Sequence, residues 1–131
     1  MIKNLDHVGI VVKDLDETMK IYGAMLGAEP VAKMEMGPMR KADYKVGGSL
    51  LEFFHGGGES PFADWLAENG EGLHHISYEV EDIAGELKRL AELGVNLQDK
   101  EPREIPGGTK IAFVGPEGSS GVVIELVEKA K

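Results

Sequence analysis

The sequence predicts an α+β fold made of two βαβββ modules that together form a concave, half-barrel-like mixed sheet. Three observations predict it. The chain repeats itself: Leu5-Asp6-His7-Val8-Gly9-Ile10-Val11-Val12 returns 68 residues later as Leu73-His74-His75-Ile76-Ser77-Tyr78-Glu79-Val80. Each copy passes from a two-residue to a helical apolar period. Each then breaks into short apolar runs separated by glycine and proline. An internal repeat constrains the whole architecture, because each copy must adopt the same supersecondary unit.

The elements follow in order. Val8, Ile10 and Val12 alternate with His7, Gly9 and Val11, the pattern of a strand with two unlike faces. Lys13-Asp14 turns the chain into a helix, whose Leu15, Met19, Tyr22 and Leu26 form one stripe before Gly27 stops it. Ile83, Leu87 and Leu90 repeat that stripe, and Gly94 repeats the stop. Three strands are expected after the first helix, at about Glu29–Glu35, Arg40–Val46 and Ser49–His55. Three more are expected after the second, at about Val95–Asp99, Thr109–Val114 and Gly121–Val127. Gly56-Gly57-Gly58 reads as a flexible break. Ser60-Pro61 reads as the N-cap and first residue of a short helix over about residues 61–69. One domain over residues 1–131 is expected, with repeats of about 1–56 and 73–131 sharing a single core.

Composition narrows the function. A net charge of −9 argues against general nucleic-acid binding, which needs a basic surface. An anionic ligand needs a local basic rim, for which Arg40, Lys41, Lys45, Lys100, Arg103 and Lys110 are candidates. Cysteine is absent, which removes disulfides and thiolate ligands and suits the cytoplasm. No targeting segment and no apolar run near the length of a membrane span is apparent, so no membrane partner is expected.

The repeat also duplicates chemistry. A glutamate lies inside an apolar run in each copy, in Leu50-Leu51-Glu52-Phe53-Phe54 and Val122-Val123-Ile124-Glu125-Leu126. These lie 73 residues apart, so the second copy has gained about five residues, most simply in Pro116–Ser120. Strand parity puts His7 and His75 on the face away from the helices. It puts Glu52 and Glu125 away from Leu51, Phe53, Ile124 and Leu126. A carboxylate in an apolar strand is costly unless a cation meets it. The predicted metal ligands are therefore His7, Glu52, His75 and Glu125. Imidazole and carboxylate together suit a divalent ion such as Zn, Mn, Fe, Co or Ni. Gly9 and Ser77, each two residues past a histidine, leave space above such an ion. His74 and His55 are expected to be structural or surface residues.

These residues resemble the vicinal oxygen chelate (glyoxalase/bleomycin resistance/dioxygenase) superfamily, built from paired βαβββ modules. Within it the chain looks most like the methylmalonyl-CoA epimerases. Leu5–Val12 and Val122–Leu126 carry the general likeness. Ser60-Pro61-Phe62-Ala63-Asp64-Trp65-Leu66, Gly70-Glu71-Gly72-Leu73-His74-His75-Ile76, Glu101-Pro102-Arg103 and Gly107–Phe113 carry the closer one. The resemblance implies a glyoxalase-like fold, a divalent metal held by His7, Glu52, His75 and Glu125, an acyl-CoA thioester substrate and a homodimer. Two segments depart from the epimerase pattern: Glu35–Lys41, and Val114-Gly115-Pro116-Glu117 where His-Pro-Lys is common.

The expected reaction removes the C2 proton of a 2-methyl-malonyl thioester and returns it to the other face. Glu125 is the first candidate for the acid/base carboxylate and Glu52 the second. Co, Ni, Mn or Zn would serve as cofactor. A glyoxalase I-type isomerase uses the same four-ligand logic and is the rival enzyme. A ring-cleaving dioxygenase needs only two His and one Glu. A drug-sequestering resistance protein usually lacks the ligand set.

Overall fold

A computed structural model describes residues 1–131. Its strands are β1 (Ile2–Val12), β2 (Ala32–Met36), β3 (Met39–Val46), β4 (Ser49–His55), β5 (Gly72–Val80), β6 (Arg103–Glu104), β7 (Lys110–Val114) and β8 (Ile124–Glu128). Its helices are α1 (Leu15–Leu26), α2 (Ala63–Asn69) and α3 (Ile83–Glu92). The chain divides into two compact units, Val8–His74 and Met1–His7 with His75–Lys131. Pairing is mixed, as the α+β prediction requires.

In the unit Val8–His74, β2, β3 and β4 form an antiparallel meander in which Asp43 pairs with Glu52. Helix α1 covers it. Val12, Leu15, Ala42, Tyr44 and Phe53 are buried together, with Ile10, Met19, Tyr22, Leu26 and Leu51 packed against them. The predicted stripe of α1 is thus the buried one. In the other unit β5 runs parallel to β8, and β8-β7-β6 continues antiparallel. There α3 buries Ile83 and Leu87 against Val80, Ala112, Val114 and Leu126. Each helix has a single apolar stripe, and strands of its own unit cover it. Burying one such Leu or Phe stabilises by about 1.5–3 kcal/mol.

The helices begin alike. Asp14 accepts from Glu17 N, and Asp82 accepts from Gly85 N. The next amide is capped from a strand in both cases: Leu15 N donates to His55 Nδ1, and Ile83 N to Glu128 Oε1. His55 and Glu128 are 73 residues apart, the same offset as Glu52 and Glu125, so the duplication extends to these caps. His55 is therefore structural. Helix α3 ends through Gly94 at φ +85°, with Gly94 N donating to Ala91 O and Val95 N to Leu90 O. Buried Glu86 on α3 meets Arg89 and the N-terminal ammonium. Those two partners pull its carboxyl below the usual range, with the Arg89 hydrogen bond the largest cause.

Four local expectations are corrected. Val95–Asp99 is not a strand: only Leu97 bridges to Val114, and a two-residue β6 follows. Asp99 N donates to Phe113 O, but Phe113 N donates to the Asp99 carboxylate, which also accepts from Arg103, so a side chain takes one half of the backbone pairing. The strand expected from Glu29 begins at Ala32, because Pro30 has no N–H to pair. Ser60 is not an N-cap: α2 starts at Ala63 after Phe62, and the buried Ser60 hydroxyl has no hydrogen-bond partner. Gly56 and Gly57 form a close approach, not a flexible break. A Cβ on Gly56 would stand 2.8 Å from Val11 Cγ1, and one on Gly57 2.8 Å from Lys13 O. The residues gained by the second copy form a 3-10 turn at Glu117–Ser119 between β7 and β8.

Candidate metal centre and its surroundings

His7 on β1, His75 on β5 and Glu125 on β8 all belong to the unit Met1–His7 with His75–Lys131. All three are buried, and their ligand atoms converge. Strand parity accounts for this. Tyr78 and Val80 of β5, and Ile124 and Leu126 of β8, pack under α3. The alternating residues His75 and Glu125 therefore take the other face. His7 Nε2 lies 3.0 Å from His75 Nε2 and 3.4 Å from Glu125 Oε1.

These separations test the donor set. Two donor atoms each about 2.1 Å from one ion stand about 3.0 Å apart at a right angle and about 3.4 Å at the tetrahedral angle. Both observed separations match that range. The electronics agree. Asp6 Oδ2 lies 2.7 Å from His7 Nδ1, and an ionised carboxylate only accepts, so Nδ1 carries a proton. In the neutral ring this places the Nε2 lone pair toward the oxygen of Glu125. Two lone pairs that close need a proton or a cation between them. The residues fit a divalent ion.

Two further side chains shape this end of the site. Ser77, fully buried, donates from Oγ to Glu125 Oε1 at 2.9 Å. It orients the carboxylate, a role beyond the open space predicted for it. The ring of Phe113 stands edge-on to His75 with centroids 6.3 Å apart, and Arg103 lies over that ring, 5.7 Å from its centroid.

Glu52 belongs to the unit Val8–His74, and its surroundings there are distinctive. It is 9% exposed, and its register partner Asp43 is 7% exposed. Lys41 Nζ lies 2.9 Å from Glu52 Oε1, 3.3 Å from Asp43 and 5.7 Å from the centroid of Phe54. Burial alone would lower the Lys41 ammonium, but the two carboxylates more than offset it and the net shift is upward. Sequence reasoning placed Lys41 on an open basic rim and passed over Asp43. The missed signal was polar alternation: Lys41 and Asp43 share a strand face, and hairpin register sets that face beside Glu52. Other candidate rim cations are also paired, Arg40 with Asp16 and Glu35, Arg103 with Asp99, and Lys110 with Glu128.

His74 points where parity predicts. It sits against Phe62 and Trp65, with ring centroids 5.4 and 5.0 Å away, and burial pushes its imidazole below the ordinary value.

Comparison with known proteins now bears on these residues. Residues 6–113 match the family model described as the Glyoxalase/Bleomycin resistance protein/Dioxygenase superfamily. The chain belongs to that superfamily. An ethylmalonyl-CoA/methylmalonyl-CoA epimerase of Cereibacter sphaeroides is 37% identical over 96% of this chain and 98% of its own length. A variant of Streptomyces coelicolor methylmalonyl-CoA epimerase, in complex with 2-nitronate-propionyl-CoA, superposes with a TM-score of 0.83. It is 32% identical, and the match covers 99% of this chain and 96% of that one. A probable lactoylglutathione lyase of Synechocystis is 33% identical over 93% of this chain and 92% of its own length. Within the superfamily the chain is similar to epimerases along nearly its whole length.

Proposed function

We propose that this chain is a divalent-metal-dependent epimerase acting on methylmalonyl-CoA or a similar 2-methyl-malonyl thioester. The class, an isomerase of the epimerase type, follows from the relatives. The observation that carries the metal dependence is the convergence of His7, His75 and Glu125. Glu52 enters as the fourth ligand through the sequence repeat and the family resemblance. The identity of the ion, whether Co, Ni, Mn or Zn, is left to measurement.

The reaction asks for little beyond this. The C2 proton lies between a thioester and a carboxylate, so its removal gives an enolate. When bound, a divalent ion supplies a Lewis acid that offsets the enolate charge. Glu125, held by Ser77, is the proposed base, and Glu52 the second acid/base candidate. No helix is long and apolar enough to cross a membrane, and the proposed location is the cytoplasm.

The test is isotope exchange. Metal-loaded protein, one epimer of methylmalonyl-CoA and D₂O should give deuterium at C2. His75→Ala should lose both metal and exchange, while His74→Ala keeps both, because its ring lies among Phe62 and Trp65. Fully metallated protein that exchanges nothing with any of several divalent ions would overturn the assignment. The glyoxalase reading, favoured by a lyase-named relative, predicts conversion of a hemithioacetal instead.

A homodimer is part of the proposal. Strand β2 pairs through β3 on one side and exposes Val31 and Met36 near its ends. An exposed strand edge with apolar side chains invites a second copy. Light scattering at micromolar concentration should give twice the chain mass, and a monomer mass would refute it.

A further inference from the structure

We propose that Asp6 is the positioning residue that fixes His7 as a metal-ready donor, and that Lys129 holds Asp6 in that role. The inference rests on the metal reading above and adds two residues to it. Asp6 divides its two oxygens. Oδ2 meets His7 Nδ1 at 2.7 Å, and Oδ1 meets Lys129 Nζ at 2.9 Å. The Asp6 and His7 side chains are only 14% and 9% exposed. With Nδ1 committed to the carboxylate as a donor, the ring has one tautomer, and its Nε2 lone pair faces His75 and Glu125. A carboxylate behind a ligand imidazole fixes the ring's orientation and raises its basicity.

The repeat differs at the residue that supplies this carboxylate. The residue before His7 is Asp6; the residue before His75 is His74, which packs against aromatic rings. The chain neighbour of the histidine therefore differs between the two copies, an acid before His7 and an imidazole before His75. Lys129 follows the end of β8, the strand that carries Glu125. Its ammonium also lies 3.9 Å from Glu79, which accepts from Asn4 and lies 3.9 Å from Lys3. Asp6 is thus pinned from the solvent side, and rotation away from His7 would forfeit an ion pair.

The experiment has two readouts. In metal-free protein, at a pH well above the ordinary histidine range, long-range ¹H–¹⁵N NMR should show His7 with its proton on Nδ1. Asp6→Asn should populate the Nε2–H tautomer, since a neutral amide holds Nδ1–H less firmly. In Co²⁺ and Zn²⁺ titrations Asp6→Asn should bind about 10- to 100-fold more weakly than the wild type. Lys129→Met should bind a few-fold more weakly, with a deficit that shrinks in high salt, because the lysine is half-exposed. An unchanged His7 tautomer and unchanged affinity in Asp6→Asn would overturn the positioning role. A wild-type chain that binds no metal, with the tautomer shift still present, would overturn the metal reading and leave the Asp6 device standing.

Discussion

Glu125→Gln should lower C2 exchange by about 10³-fold, within the range of about 10²- to 10⁴-fold associated with a positioned acid/base group. Glutamine keeps the shape of the side chain and an oxygen able to accept from Ser77, so the local packing should hold. It loses the charge and basicity that proton removal needs. Elemental analysis of the same sample separates two roles. Metal retained with exchange lost assigns Glu125 as the base. Metal and exchange lost together assign it as a ligand whose chemistry needs a second variant to resolve. Full exchange with full metal content would move the base elsewhere, with Glu52→Gln the next variant to examine.

Lys41→Met should destabilise the chelator-treated protein by about 3 kcal/mol, the scale of breaking a buried ion pair from one side. For a chain of this size that is a fall of about 10 °C in thermal midpoint. The reason is specific. Asp43 and Glu52 are both buried, and Lys41 is the ammonium they share. Removing it raises the cost of keeping both carboxylates ionised. Lys41→Arg keeps the charge and should recover most of the stability. A Lys41→Met midpoint equal to the wild type at neutral pH would show that the cluster contributes nothing net.

The legible part of this fold was its period. Leu15, Met19, Tyr22 and Leu26 mark a helix face whatever surrounds them, and they are the residues that pack against β3 and β4. The strand Ser49–His55 was read to the residue. Val95–Asp99 was not, because strand propensity is decided by the neighbour, and Asp99 offers Phe113 a carboxylate in place of a backbone carbonyl. Ser60-Pro61 misled for a related reason. The pair fits a helix start by local rules, but Ser60 is buried and the turn it makes with Gly57 delays the helix to Ala63.

By itself the sequence determined the paired-module architecture, the faces of its helices and strands, and the proposed set His7, Glu52, His75 and Glu125. Repeats, helical periodicity and strand parity are local properties, written in spacing along one dimension. Only the tertiary structure decided what orients those groups. Asp6 behind His7, Ser77 on Glu125, and Lys41 with Asp43 at Glu52 depend on which side chain of which strand comes within about 3 Å, and the spacing of residues along a chain does not encode that distance.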